Sequence, residues 1–450
     1  MGENDRVDLR DKTIFTIDGA DAKDLDDAVS IEKNEAGNYI LGVHIADVSN
    51  YVPPGSPIDM EALARGTSVY PAGQVIHMLP ESLANGVCSL NKGEDRKTLS
   101  VGMEITPEGG IIGHSIFKSL ICSRERMVYD HVSDMIENKD LKLIEKYDNI
   151  YREILLMEEL ASALRRRWEA RGRLDFDINE ACIKFGPDGK VESVEVAERR
   201  AADRMIEEFM IAANVTVAER VFNAGIPFIY RVHEKPEQEK MEELGVFIKK
   251  FGLKLPCAAK NVNTRALAGL VKKIKGEEYE NIVNKVMLRS MTKAYYSHEC
   301  GGHFGLGLSR YCHFTAPIRR YPDLLAHRII KESLTDRMGG KRKRALSKKI
   351  RSAAESSSVA ERKALEFERE VEKMKKAEYM SGRIGEVFEG MVSGVTYFGI
   401  FVELKNTIEG LVPADFADIE KFTLGDKIKV VLESVDTEKG FINFRRFADE

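Results

Sequence analysis

The chain has 450 residues, 43% of them hydrophobic, and single hydrophobic cores stop growing at about 250–300 residues, so we expect at least two folding units. The formal net charge of −5 excludes a uniformly basic nucleic-acid coat but not a local basic channel. The scattered cysteines and the lack of a long apolar run or signal peptide predict a reduced, soluble, cytoplasmic protein without a membrane partner.

Short strand patterns separated by turn residues run from Thr13 to about Ile121. Apolar residues at helical intervals then predict a long amphipathic helix over Lys142–Trp168, and short strands return near residues 175–196. Three further helices are predicted at Arg200–Phe222, Tyr279–His298 and Arg320–Leu334. This order predicts an α+β fold in which helices cover one β system.

The last quarter of the chain has a different pattern of charge and hydrophobicity. Mixed-sign charges three and four residues apart predict an exposed helix within Gly339–Lys376. Beyond Gly382 the hydrophobic period drops to two, which predicts a small closed β-barrel of the OB type. We therefore expect one domain at 1–380 and an all-β domain at 381–450. In the barrel, strand alternation would point Phe398 and Phe401 in opposite directions, so that at least one lies in the core.

Five aspartates crowd one stretch, TIDGADAKDLDDAVSI, between two apolar runs. They are Asp18, Asp21, Asp24, Asp26 and Asp27. Asp and Gly favour turns for local reasons, so a solvated turn is one interpretation. The other is a metal site, because like charges about 4 Å apart repel by roughly 4 kcal/mol at an effective dielectric of about 20 unless a cation binds or pKa values rise. Oxygen ligands without an EF-hand pattern favour Mg²⁺ or Mn²⁺ completed by phosphate oxygens.

Phosphate ligands would imply attack of water on a phosphodiester, with two metal ions about 3.5–4 Å apart. The stretch HFTAPIRRYPDLLAHR supplies a cation for this chemistry, because Pro317 and Pro322 bracket Arg319 and Arg320 in a turn before a helix. Arginine presents a planar two-point fork to phosphate. From this motif alone, two ordinary surface charges are an equally good interpretation.

Eight motifs together resemble the catalytic domain of the ribonuclease R and ribonuclease II (RNB) family, in the family's order. They are TIDGADAKDLDDA, VHIADVSNYV, MLPESLANGVCSLN, MVYDHVSD, RGRLDF, EEFMIAANVTVAE, HFGLGL and TAPIRRYPDLLAHR. The resemblance covers about Val7 to Met380 and is closer to the ribonuclease R branch. From Gly382 to about Arg446 the chain resembles the OB-fold RNA-binding domain named after a ribosomal small-subunit protein.

The resemblance implies a fold with a β-sheet or barrel covered by helices around an RNA channel. It implies a processive, Mg²⁺-dependent exoribonuclease, with Mn²⁺ also suited to the ligands, and we expect the chain to act as a monomer. Single-stranded RNA would enter 3′ end first and leave as nucleoside 5′-monophosphates. The alternatives are a catalytically silent RNA-binding adaptor, which would be free to lose the aspartates, and an endonuclease built on the acid cluster alone.

Four of the five aspartates match the family's catalytic positions. By resemblance, Asp18 and Asp27 hold metal, Asp24 completes the site, and Asp26 is the residue whose loss should stop cleavage, because it holds or orients the second metal and its water. Asp21 lies outside the pattern.

Other family positions carry over to residues that would contact RNA. Tyr129 matches a tyrosine that stacks on the terminal nucleotides and sets the smallest product, and Phe176 matches its partner in the clamp. Stacking is worth about 1–3 kcal/mol per base and tolerates any sequence. Arg319 matches the arginine at the scissile phosphate, a role that Arg320 could take in its place. Glu361 matches a glutamate near the last nucleotide.

Two features depart from the family pattern or stay open. Full-length members place two cold-shock-type OB domains before the catalytic domain, whereas here the aspartates come almost at once, so we expect either a shortened or a naturally short member. The basic run from Lys341 to Arg351 is compatible with a salt-sensitive contact to RNA phosphates and equally with a solvated helix end.

Overall fold

The computed structural model describes residues 5–176, 178–256, 258–335, 338–414 and 419–447. In these ranges all five cysteines are free thiols, while Cys257 lies outside the described residues. Among the described residues, no helix combines the length and the apolar character needed to span a bilayer.

A seven-stranded sheet forms the base of the first part of the chain, with strand order β1-β6-β5-β4-β3-β2-β7. Neighbouring strands from β6 to β2 pair antiparallel, whereas β1 with β6 and β2 with β7 pair parallel. The strands are β1 Val7–Asp8, β2 Phe15–Asp18, β3 Asp27–Lys33, β4 Tyr39–Ala46, β5 Asp95–Ile105, β6 Ile111–Cys122 and β7 Glu125–Val128.

Within the described residues, ten helices and two small two-stranded sheets complete the fold around the large sheet and the barrel. The helices are α1 Pro57–Arg65, α2 Tyr129–Ser133, α3 Leu141–Lys146, α4 Asp148–Arg171, α5 Ala201–Asn223, α6 Gln238–Ile248, α7 Thr264–Ile274, α8 Glu280–Arg289, α9 Tyr321–Ser333 and α10 Gly340–Met380, as far as the described residues extend. The small two-stranded pairs are β8 Ala181–Phe185 with β9 Val191–Val196, and β10 Tyr230–Val232 with β11 Tyr295–Ser297.

Most predicted helices are present, with two differences. The helix expected over Lys142–Trp168 is broken at Tyr147, whose backbone angles of φ −116° and ψ 28° interrupt the helical run between α3 and α4. The helix expected over Tyr279–His298 is wrong beyond Arg289, because β-prone aromatic residues follow and Tyr295–Ser297 pairs with β10 as β11. The sequence patterns also missed α6 and α7.

The largest hydrophobic core lies between the seven-stranded sheet and helices α4, α5 and α9. Helix α5 is buried along most of its length, as expected for a helix that is apolar on nearly all sides. A second core joins α6, α7 and α8. The result is the predicted α+β body with helices packed over a β system.

The C-terminal part forms the predicted closed five-stranded barrel, ordered β12-β13-β14-β16-β15. Its strands are β12 Val387–Thr396, β13 Gly399–Leu404, β14 Glu409–Pro413, β15 Lys427–Asp436 and β16 Phe441–Arg446. The expectation for Phe398 and Phe401 is wrong, because Phe398 lies in the turn between β12 and β13, where strand alternation does not apply. Its ring packs edge-on against Phe401 with centroids 6.2 Å apart, outside the buried barrel core.

Helix α10 connects the two parts of the chain. Leu346 and Ile350 near its start belong to the large core, whereas Ala377 and Met380 at its end belong to the barrel core. The division at residue 380 therefore stays a prediction, since a separately folding barrel would have to keep the last turn of α10.

Candidate active site

The aspartate-rich stretch forms a loop at the edge of the large sheet. Strand β2 ends at Asp18 and β3 begins at Asp27, and the two strands pair only at Phe15 and Val29. We call residues 18–27 the acid loop. The loop is fixed to the sheet rather than free in solvent, so it differs from an ordinary solvated turn.

Two side chains from distant strands and turns hold the acid loop. Arg126 on β7 donates to the carbonyl oxygens of Gly19, Ala20 and Ala22 at 3.2, 2.8 and 2.8 Å. The Ser89 hydroxyl donates to the Lys23 carbonyl at 2.7 Å and accepts from the Leu25 N–H at 3.1 Å. These bonds hold the backbone of the acid loop from Gly19 to Leu25 in place between the aspartates.

Burial and mutual repulsion disfavour the charged forms of the aspartates. Burial and the charges of Asp27 and Asp24 raise the pKa of Asp18 well above its ordinary value, partly offset by Arg126. Burial raises the pKa of Asp26 strongly despite the nearby Arg319, and it raises the pKa of Asp27 to about 6. Asp21 is exposed and stands apart, as the sequence indicated.

The turn before α9 brings a cation to the acid loop. The Ile318 N–H donates to Asp26 Oδ1 at 2.8 Å, and Arg319 Nε lies 3.8 Å from Asp26 Oδ2. The Arg319 side chain is 47% exposed, so its guanidinium remains accessible to an anion. Arg320 instead donates to both oxygens of buried Asp323 at 2.9 and 2.7 Å. The geometry therefore favours Arg319 over Arg320 as a substrate ligand.

Two tyrosines border the acid loop. Tyr129 starts α2 directly after β7, and burial together with the charges of Asp27 and Asp18 raises the pKa of its hydroxyl. Sequence reasoning missed Tyr70, whose hydroxyl donates to Asp24 Oδ2 at 3.1 Å. Its N–H donates to Glu368 Oε1 on α10 at 2.7 Å, and the residue is 40% exposed. No local motif marks Tyr70, since only the tertiary fold brings it to Asp24.

The sequence profile of the RNB domain matches residues 6–336, which is most of the chain. The chain belongs to the RNB family. The profile of the S1 RNA binding domain matches residues 382–446, the part that forms the barrel. The family resemblance and the fold class expected from the motifs are thereby confirmed.

Relatives of this RNB chain carry the name ribonuclease R. The chain is 44% identical to Ribonuclease R 1 of Lactococcus lactis, in a match that covers 99% of the chain and 56% of the relative. It is 42% identical to Ribonuclease R of Thermotoga maritima, in a match that covers 98% of the chain and 64% of the relative. The chain thus spans about three-fifths of these relatives. A solved structure of Mycoplasma genitalium RNase R with ribose methylated single-stranded RNA matches 98% of the chain and 72% of its own length, at 28% identity and a TM-score of 0.91.

The other two RNA-contacting residues expected in the RNB part lie in different surroundings. Phe176 packs half-buried against the second core, and within the described residues its ring makes no ring contact with Tyr129. Glu361 on α10 pairs with Arg231 at 2.6 Å, and the Arg231 guanidinium lies 4.7 Å from the centre of the Tyr296 ring. The aromatic clamp and the role of Glu361 stay predictions.

The donor set of the RNB acid loop suits a hard divalent ion. Within the described residues, no three His, Cys, Asp or Glu side chains converge closely enough to enclose an ion by themselves. Asp18 Oδ2 and Asp26 Oδ2 are nevertheless buried without a hydrogen-bond partner among the described atoms. Mg²⁺ is typically held by one or two carboxylates together with water and substrate phosphates. Unsatisfied, buried carboxylate oxygens of this kind fit such an ion.

Proposed function

We propose that this chain is a divalent-metal-dependent exoribonuclease that degrades single-stranded RNA from its 3′ end to nucleoside 5′-monophosphates. The observation that carries the proposal is the acid loop, where buried, partly unsatisfied carboxylates lie beside the accessible guanidinium of Arg319. Relatives named ribonuclease R, and an RNase R structure described with single-stranded RNA, support RNA as the substrate. Because the chain spans only part of these relatives, activity and substrate belong to the proposal.

In this proposal Asp18 and Asp27 hold Mg²⁺, or Mn²⁺, and Asp24 completes the site. Bound divalent ions would offset the charge of the phosphate oxygens and promote ionisation of the attacking water. Asp26 would hold or orient the second metal ion and its water. Its Oδ1 is fixed by the Ile318 N–H, so Oδ2 is held in one orientation toward Arg319 and the substrate side.

The remaining side chains position the RNA. Arg319 would contact the scissile phosphate with its planar fork, because its guanidinium is accessible and only loosely paired with Asp26. Tyr129 and Tyr70 border the acid loop and would stack on or confine the terminal nucleotides. The Tyr70 hydroxyl also holds Asp24 in place through its hydrogen bond.

The barrel would supply a second RNA contact. Tyr397 is 84% and Phe398 is 44% exposed at the β12–β13 turn, and exposed aromatic rings bind bases without sequence preference. In this proposal one monomer threads single-stranded RNA toward the acid loop. The monomeric state, the cytoplasmic location and the choice between Mg²⁺ and Mn²⁺ stay predictions.

End-labelled single-stranded RNA incubated with the chain and Mg²⁺ tests the proposal. With a 5′ label we expect a ladder that collapses to one very short labelled limit product, and uniformly labelled RNA should in addition release mononucleotides. No cleavage is expected in EDTA. RNA that is bound but never cut would support the silent adaptor instead, and discrete internal cuts would support an endonuclease.

A further inference from the structure

The start of α10 is strongly basic. From Gly340 to Ala354 the sequence contains seven Lys or Arg residues and no Asp or Glu. Two of the seven hold the helix in place. Arg342 Nε lies 2.6 Å from Glu332 Oε1 at the end of α9, and Lys343 donates to the Gly225 carbonyl at 2.9 Å. The first turn of α10 is therefore anchored to two neighbouring helix ends.

Four other basic residues share one face of the helix. Lys341, Arg344, Lys348 and Arg351 follow one another at spacings of three and four, so they line up on the side opposite the buried face. We call these four residues the basic stripe. All four are exposed, and the stripe extends over about 15 Å at a rise of about 1.5 Å per residue.

The charges of the basic stripe are not neutralised within the described part of the chain. No described carboxylate lies within ion-pair distance of any of the four, and Arg351 donates instead to His298 Nε2 at 2.9 Å. The second half of α10 differs, since Lys373 and Lys375 pair there with Glu370 and Glu378. Like charges at these spacings destabilise a helix, and an anion bound from outside the chain would relieve that repulsion.

The basic stripe is remote from the acid loop. Glu368, the α10 residue bonded to Tyr70, lies about 30 Å along the helix from Lys348. Any anion that reaches both places has to be a long polyanion. RNA has this property, and phosphate contacts of Lys and Arg are independent of base sequence, as a general degrader of RNA requires.

We infer that the basic stripe binds the phosphate backbone of the RNA at a distance from the active site and holds the part of a long substrate that the acid loop does not reach. The inference rests on the proposed function for the identity of the polyanion. Of the two interpretations of the basic run, the inference adopts the RNA contact over the solvated helix end.

The test compares RNA binding by the parent chain and by the Lys341→Gln, Arg344→Gln, Lys348→Gln variant in EDTA, where no turnover occurs. Each phosphate contact adds roughly 0.7–0.9 to the slope of log Kd against log salt, so the variant should have a slope lower by roughly 2 to 3 on a long RNA. For an oligonucleotide too short to reach from the acid loop to the basic stripe, the parent and the variant should have the same slope.

A matched control carries the same change of charge elsewhere. Lys142→Gln, Lys146→Gln, Arg152→Gln removes two lysines and one arginine that are exposed on α3 and α4, and it should keep the parent slope. Equal slopes for the stripe variant and this control would overturn the inference. A stripe-dependent slope with poly-glutamate but not with RNA would overturn it in favour of an acidic protein partner. Cleavage of the short oligonucleotide by the parent in Mg²⁺ tests the proposed function separately.

Discussion

Replacing Asp27 by Asn should stabilise the metal-free protein while it removes the metal site. Burial raises the pKa of Asp27 to about 6 in the folded chain, against an ordinary value of 3.8 that applies to the unfolded chain. Between these values the folded state binds more protons, so stability falls as pH rises through that window. The substitution keeps the size of the side chain and removes its ionisation.

The size of the effect follows from the two pKa values. A difference of about 2.2 units, at about 1.36 kcal/mol per unit, corresponds to at most about 3 kcal/mol at pH 7. Near pH 4 most of this difference is absent, because Asp27 is then largely protonated in the folded state. Binding of a divalent ion to the parent should recover stability at pH 7, whereas the variant should gain much less.

Urea unfolding in EDTA at pH 4 and pH 7 measures the difference in stability between the parent and the Asp27→Asn variant. We expect Asp27→Asn to unfold at a higher urea concentration than the parent at pH 7 and at a similar concentration at pH 4. Asp21→Asn is the matched control, since Asp21 belongs to the same loop but is exposed, and its midpoint should not change. A variant no more stable than the parent at pH 7 without metal would refute the electrostatic reasoning.

Three further sets of variants test the site. Asp26→Asn should lower turnover by at least roughly 10²-fold, as loss of one oriented charge at a reacting centre does, while RNA binding by filter assay survives; full activity would remove Asp26 from the mechanism. Tyr129→Ala and Tyr70→Ala should each lengthen the limit product on a sequencing gel, and whichever leaves it unchanged has no part in confining the last nucleotides. Arg319→Lys should lower kcat/KM by roughly 10-fold with an unchanged Tm, because lysine lacks the planar fork. Arg320→Ala should instead lower the free energy of unfolding by roughly 3–5 kcal/mol, because it leaves buried Asp323 unpaired. If Arg319→Lys lowered Tm and Arg320→Ala lowered kcat/KM instead, the two arginines would exchange roles.

The features that sequence reasoning found were those carried by contiguous residues. The acid loop lies within one short stretch, and its crowding of carboxylates already implied a cation. The turn with Arg319 and Arg320 was visible because prolines bracket it, yet the sequence left the two arginines equivalent. Only the structure distinguishes them, because Asp323 occupies Arg320 and leaves Arg319 accessible.

The features that sequence reasoning missed depend on residues distant in sequence or on an interrupted hydrophobic period. Tyr70 reaches Asp24 across 46 positions, and Arg126 reaches the Gly19 carbonyl across 107. The end of α8 was missed because apolar residues continue into β11, where pairing with β10 decides the conformation. Phe398 was misplaced because the turn between β12 and β13 begins before it.

Under the proposed function, the acid loop is stable in its working state only with divalent ions, which share their coordination with an RNA phosphate. The most direct measurement is the anomalous difference map of a crystal that contains the Asp26→Asn chain, Mn²⁺ and bound single-stranded RNA. We expect an anomalous peak within coordinating distance of Asp18, Asp27 and a phosphate oxygen of the RNA. A map with RNA clearly bound beside the acid loop and no anomalous peak there would contradict it.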